Sequence, residues 1–289
     1  FDYSIGALLT DNGWTAHSSG GSQSIDVTNG LIFDGYAGSG IGGGANLDNT
    51  GEDVHRTFPE QTTGVIYAAA VVQTQGPNSA GYFLHFGQST IGTTFFTRIY
   101  INAAGDGIGL GLGNTPPATF LPITPGVPAL IVMKLEIATK TSSFYIFNTY
   151  PATEPPVPDA TVTETANFSN VGSIALRQYN ASQRIIVDGI RVATTWAEAV
   201  APSSGTNPAI SASPGTLSGF TYTVNNGPSA SQSYNLSGSN LTPANGNITI
   251  TPPANYEISL DDISFSQSVL NVPYSAGALS AVPVYVRLK

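Results

Sequence analysis

Arg184-Ile185-Ile186-Val187-Asp188-Gly189-Ile190-Arg191-Val192-Ala193-Thr194-Thr195-Trp196 is the stretch on which the reading of this 289-residue chain turns. Its β-branched residues and closing aromatic have the composition of a buried strand, and Asp188-Gly189 marks a kink in the middle. Short apolar runs broken by Gly and Pro precede it. A segment rich in Pro, Ser, Gly and Asn follows it. The stretch therefore reads as the closing strand of a large β-domain, residues 1–200. A linker at 201–208 and a second β-domain at 209–289 come after it.

Working outward, Val65–Thr74 is almost continuously apolar, as expected of a strand buried on both faces. Tyr82–Phe86 and Phe95–Ile101 follow at hairpin spacing. Ile108–Leu112 alternates Gly with Ile or Leu, a strand with one bare face. Ala129–Ala138 and Ser142–Asn148 read as a hairpin about Lys140-Thr141. Ser24–Val27 and Leu31–Tyr36 read as strands, and Ser173–Tyr179 with Ile185–Ala193 as the last hairpin. Thr149–Pro158, with four prolines, reads as an ordered loop, and Trp196–Val200 as one helical turn. After the linker, seven short strands are expected: Ile210–Ser213, Phe220–Val224, Gln232–Ser237, Asn247–Thr251, Tyr256–Leu260, Val269–Val272 and Val282–Leu288. The fold class is all-β: a jelly-roll sandwich followed by an immunoglobulin-like sandwich, the latter expected to lack its last strand.

Composition narrows the function. Charged residues make up only 9% of the chain and hydrophobic ones 41%, so solubility rests on Ser, Thr, Asn, Gln and Gly. Residues 1–200 hold seven basic and fifteen acidic side chains, and the remainder two and three, for a net charge of -9. Neither part has a basic patch able to neutralise several phosphates, which argues against nucleic acid and anionic membranes as partners. The absence of cysteine excludes disulfides and thiolate chemistry. No apolar run approaches the ~18 residues of a membrane-spanning helix.

Asp11-Asn12-Gly13-Trp14, Gly38-Ser39-Gly40-Ile41-Gly42, Gly51-Glu52-Asp53-Val54, Ile174-Ala175-Leu176-Arg177-Gln178 and Val187-Asp188-Gly189-Ile190-Arg191-Val192 together resemble the concanavalin A-like, laminin-G-type jelly-roll module of multidomain bacterial surface proteins. Leu217-Ser218-Gly219-Phe220, Leu236-Ser237-Gly238-Ser239-Asn240-Leu241 and Pro253-Ala254-Asn255-Tyr256-Glu257-Ile258 resemble the immunoglobulin-like repeat that accompanies it. The resemblance implies export by the type IX route, a secreted or cell-surface location and a role in binding or adhesion. It also implies a structural Ca²⁺ at Asp188, with Asp2 as a second ligand. The rival reading has Asp188 accepting from turn amides.

Among motifs with chemistry, Gly38-x-Gly40-x-x-Gly43 matches a dinucleotide fingerprint but is followed by no helix pattern, so it reads as a glycine loop. Glu52-Asp53 beside His55-Arg56 is the densest ionisable cluster; strand parity puts Asp53 with His55 and Glu52 with Arg56. The chain lacks the Glu-x-Asp-x-x-Glu strand motif of hydrolases of this fold. His17, His55 and His85 lack zinc-ligand spacing. A binding face is expected from parity: His85 with Phe83, Arg98 with Phe96 and Tyr100, Arg177 with Ala175 and Tyr179. Aromatic rings beside planar donors suit sugar recognition. The expected function is a non-catalytic jelly roll binding glycan or another surface polymer, with an immunoglobulin-like spacer. The alternatives are an adhesin or assembly subunit contacting other protein subunits, and a polysaccharide-active enzyme using Asp53 or His85.

Overall fold

The computed structural model describes residues 1–203, 208–223 and 225–289. Part of the expected linker and Val224 lie outside the described residues. The chain divides into two compact units, Phe1–Ser203 and Ser204–Lys289.

The first unit is a sandwich of two seven-stranded antiparallel sheets. The first sheet runs β1 (Thr15–Ser18), β4 (Asp53–Gln61), β13 (Val171–Leu176), β6 (Gly81–Gly87), β7 (Phe95–Ile101), β8 (Gly107–Gly111) and β9 (Leu121–Pro122). The second runs β12 (Ala160–Thr163), β11 (Thr141–Phe147), β10 (Ala129–Glu136), β5 (Val65–Thr74), β14 (Ile185–Ala193), β3 (Gly43–Leu47) and β2 (Asp26–Asn29). Between them lies the main core, which includes Val54, Ile66, Phe83, Phe86, Phe96, Ile131, Leu176 and Val187.

β5 is buried on both faces. Ile66, Ala68, Ala70 and Val72 point into the main core. Tyr67, Ala69 and Val71 join a second layer with Leu31, Phe33, Tyr36, Tyr145 and Trp196. That layer covers the outer face of the second sheet. The single-turn helix α1 (Trp196–Ala199), capped by the Thr195 side chain accepting from the Glu198 amide, contributes Trp196 and Ala199 to it. The proline-rich loop is pinned there by Glu154, whose carboxylate accepts from Lys134 (2.7 Å), Tyr67 (2.9 Å) and Tyr145 (2.8 Å).

Two expectations change. Leu31–Tyr36 is not a strand but an irregular segment whose apolar side chains form part of that cover. Ser173–Tyr179 and Ile185–Ala193 do not pair as a hairpin: β13 lies between β4 and β6 in one sheet, and β14 between β5 and β3 in the other. Local spacing suggested a hairpin, but each segment is flanked by strands on both sides in the interior of a separate sheet.

The Asp188-Gly189 kink is a register break in the pairing of β14 with β5. Gly189 adopts φ 59°, and a Cβ there would sit 2.4 Å from the Gly38 carbonyl oxygen, so the position requires glycine. Gly43, in the fingerprint-like loop, opens strand β3 and no helix, as the glycine-loop reading requires.

The second unit has a four-stranded sheet, β15 (Ala209–Ser213), β16 (Gln232–Ser239), β20 (Leu279–Leu288) and β18 (Tyr256–Ser259). A two-stranded sheet, β17 (Gly246–Ile250) with β19 (Leu270–Tyr274), completes it. Its core is small: Leu236, Leu241, Ile248, Val272, Leu279 and Val284. Among the described residues Phe220–Thr223 forms no strand. The terminal run is no open edge either, because Val286 pairs with Gln232 on one side and Ile258 on the other.

Candidate functional site

With the outer face of the second sheet covered, the outer face of the first is where the first unit presents chemistry. The row is set by register. Ala175 of β13 is opposite His55 of β4 and His85 of β6, and residues directly opposite share a face. The small Ala175 leaves room for His17 of β1. The His17 ring centre lies 5.3 Å from that of His55, 6.1 Å from His85 and 5.7 Å from Phe95. Three histidines distant in sequence thus converge.

Two irregularities in the β6–β7 pair decide what else joins them. β6 carries an extra residue at Phe83, between the pairs Tyr82–Tyr100 and Leu84–Ile99. β7 carries an extra residue opposite His85, between the pairs Leu84–Ile99 and Phe86–Phe96, with Thr97 at φ 53°. Phe83 and Phe96 consequently enter the core, and Tyr82 and Phe95 join the histidines. This corrects the parity reading: strict alternation put Phe83 with His85 and Phe96 with Arg98, and the bulges reverse both. The Arg98–Tyr100 and Ala175–Arg177–Tyr179 relationships are kept. Tyr82, which the parity reading missed, is the hub. Its ring lies 4.7 Å from the Arg98 guanidinium carbon and 4.2 Å from that of Arg177. It lies 5.6 Å from each of the His85 and Tyr100 rings. Arg177 is also 4.8 Å from the Tyr179 ring.

The predicted residues occupy two depths. His85 is fully buried, and Tyr100 and Arg98 are only 3% and 7% exposed. They form a floor. Tyr100 donates to the Gly113 carbonyl (2.7 Å) and packs on Gly111, where a Cβ would lie 2.4 Å from its ring. The bare face of β8 is therefore the seat of Tyr100. Arg98 donates to the Asn114 side-chain oxygen. Above the floor, His17, Tyr82, Phe95, Arg177 and Tyr179 are half-buried and form the contact layer. Tyr179 is anchored by donating to the Ser79 carbonyl. His85 and Tyr100 thus lie beneath the exposed layer of this face; parity reports side, not depth.

All three imidazoles are neutral near pH 7. Burial lowers His85 to about 3 and, with His55 nearby, His17 to about 4; burial also lowers His55. His85 Nδ1 faces the Phe86 carbonyl at 3.1 Å, while its Nε2, His55 Nδ1 and both His17 ring nitrogens are buried with no partner among the described residues.

The ionisable cluster at 52–56 disperses. Glu52 is buried and accepts from the Gly21 amide (2.9 Å) and the Ser24 hydroxyl (3.1 Å). Arg56 is exposed and donates to the Tyr3 hydroxyl (2.7 Å). Asp53 accepts from the Gln178 amide (3.0 Å). Burial raises Asp53 to about 6, opposed by that bond and by Arg177.

The oxygens around Asp188 do not fit the calcium site that the resemblance implied. Asp188 is fully buried; one carboxylate oxygen accepts from the Leu31 amide (2.7 Å) and the other from the Gly189 amide (2.6 Å). Asp2 is exposed. Among the described residues no group of three or more His, Cys, Asp or Glu side chains is placed to hold a metal ion. Calcium requires six to eight oxygens; Asp188 instead ties the β14 kink to the segment at Leu31.

No protein-family model matches the chain, and no curated protein matches it. Solved structures with loose similarity include a sialidase at 9% identity, the match covering 67% of this chain and 19% of that one, with a TM-score of 0.42. The globular domain of T. cruzi calreticulin matches at 11% identity over 68% of this chain and 90% of that one, TM-score 0.43. Peanut lectin matches at 10% over 63% and 99%, TM-score 0.33. The chain spans about a fifth of the sialidase's length, and the sandwich described above rests on its own strand pairing.

Proposed function

We propose that residues 1–203 form a non-catalytic glycan-binding module that uses the outer face of the first sheet. The observation that carries this reading is the contact layer itself. Half-buried Tyr82, Phe95 and Tyr179 stand on a rigid sheet, with the Arg177 guanidinium laid against two of them. Aromatic faces stack on the C–H faces of sugars and a planar donor serves hydroxyls. The sparsely charged polar exterior suits a secreted or cell-surface protein, exported as the type IX resemblance implies, with the second unit as spacer. Retention of the full chain on a panel of immobilised polysaccharides tests the reading. Tyr82→Ala is expected to abolish retention; failure of the wild-type chain to bind any polysaccharide defeats the proposal. Turnover of any polysaccharide, lost in Asp53→Asn, would defeat its non-catalytic part. The assembly-subunit alternative finds no open edge at β20, which is paired on both sides.

A further inference from the structure

The two arginines of this face carry charge that the protein leaves uncompensated. The chain has twice as many acidic as basic residues, yet neither Arg98 nor Arg177 forms a salt bridge among the described residues. The two ion pairs present are Lys134–Glu154 and Arg287–Glu257. Both guanidinium groups converge on the single Tyr82 ring, so two like charges are held together in a partly desolvated place where their repulsion is poorly screened. The acids whose charge reaches them are otherwise engaged. Asp53 serves the Gln178 amide. Glu164 accepts from the Thr97 amide (2.7 Å) and the Ser142 hydroxyl (2.8 Å). Burial pushes both toward their neutral forms. Among the described residues the Arg98 Nε–H has no acceptor. The three neighbouring histidines, their pKa values lowered by burial, add no further positive charge.

From this geometry we infer that the ligand is an acidic glycan, a sugar ring bearing a carboxylate that meets Arg177 and lies in the field of Arg98. The inference rests on the sugar-binding reading of the same face. The Arg177 guanidinium carbon lies 4.2 Å from the centre of the Tyr82 ring and 4.8 Å from that of Tyr179, and with no salt bridge among the described residues its planar fork can take the two oxygens of a carboxylate. Arg98, deeper and tied to Asn114, acts as a positioning residue and fixed charge. Sugar rings on either side of the carboxylate stack on Tyr82 and Tyr179.

The test measures binding of the full chain by calorimetry to polygalacturonate, to the same polymer after carboxyl reduction, to neutral dextran and to dextran sulfate. Polygalacturonate is expected to bind. Carboxyl reduction is expected to weaken binding by about tenfold or more, as loss of a charge-assisted bidentate contact implies. Arg177→Gln should reproduce that loss with an unchanged melting temperature, and added salt should weaken the wild-type complex. Equal binding of the native and reduced polymers overturns the acidic-ligand inference and leaves the glycan reading standing. Binding of dextran sulfate alone overturns the carboxylate. Unchanged affinity in a folded Arg177→Gln variant overturns the placement at this site. No binding to any polymer, on this or a wider panel, removes the glycan reading itself.

Discussion

At the scale of single residues, Asp188 shows how a buried acid is held by backbone amides. It is ionisable and fully enclosed, and its two oxygens accept from the Gly189 amide at the β14 kink and from the Leu31 amide of the segment packed beside it. Asp188→Ala leaves both donors unpaired and is expected to destabilise the first unit by about 2–5 kcal/mol, measured by denaturant unfolding. Asp188→Asn, which keeps one acceptor, should cost less. Millimolar Ca²⁺ or EDTA should leave the melting temperature of the wild-type chain unchanged; a shift would mean that a cation is held there. The histidines make a second prediction. Their folded-state values lie below the 6.5 of a free imidazole, near 4 for His17 and near 3 for His85. Between pH 6.5 and about 4 the unfolded chain takes up protons that the folded chain refuses, so stability is full above this window and falls as pH drops through it. In a His17→Gln/His85→Gln variant the slope of melting temperature against pH in that range should flatten.

At the scale of elements, bulges and cover decide which chemistry is presented. One extra residue on each of β6 and β7 exchanges Phe83 for Tyr82 and Phe96 for Phe95 on the outer face. Gly111 provides the space in which Tyr100 lies. Gly111→Ala places a methyl 2.4 Å from that ring, and is expected to cost about 1–3 kcal/mol of stability and to weaken polygalacturonate binding by displacing the floor under Tyr82. On the opposite sheet, Glu154 holds the proline-rich loop through three donors. Glu154→Gln should destabilise the unit by roughly 1–2 kcal/mol, since the ion pair is partly exposed, and leave glycan binding intact. Loss of binding in that variant would mean that the covered face takes part.

At the scale of the whole molecule, two units with separate cores predict two unfolding transitions. Scanning calorimetry should show the larger unit carrying roughly two thirds or more of the total enthalpy, because unfolding enthalpy scales with residue number. Saturating polygalacturonate should raise the transition of the first unit and leave that of the second in place. A single transition would contradict independent unfolding of the two units, and a shift in the second alone would contradict the assignment of binding to the first.

Much of this molecule was legible in its sequence. Gly and Pro punctuation with short β-branched runs determined the all-β class. The unbroken apolar run at Val65–Thr74 announced a strand covered on both sides. Counting residues in twos put Arg98 with Tyr100 and Arg177 with Tyr179, each pair on one side of its own stretch. What alternation did not show was Tyr82 as the hub, the exile of Phe83 and Phe96 to the core, the meeting of His17, His55 and His85, and the depth at which His85 lies. Side-chain alternation is a local property of an extended backbone. Bulges, sheet order and burial depth arise only when distant strands compete for the same core, and only the folded chain settles that competition.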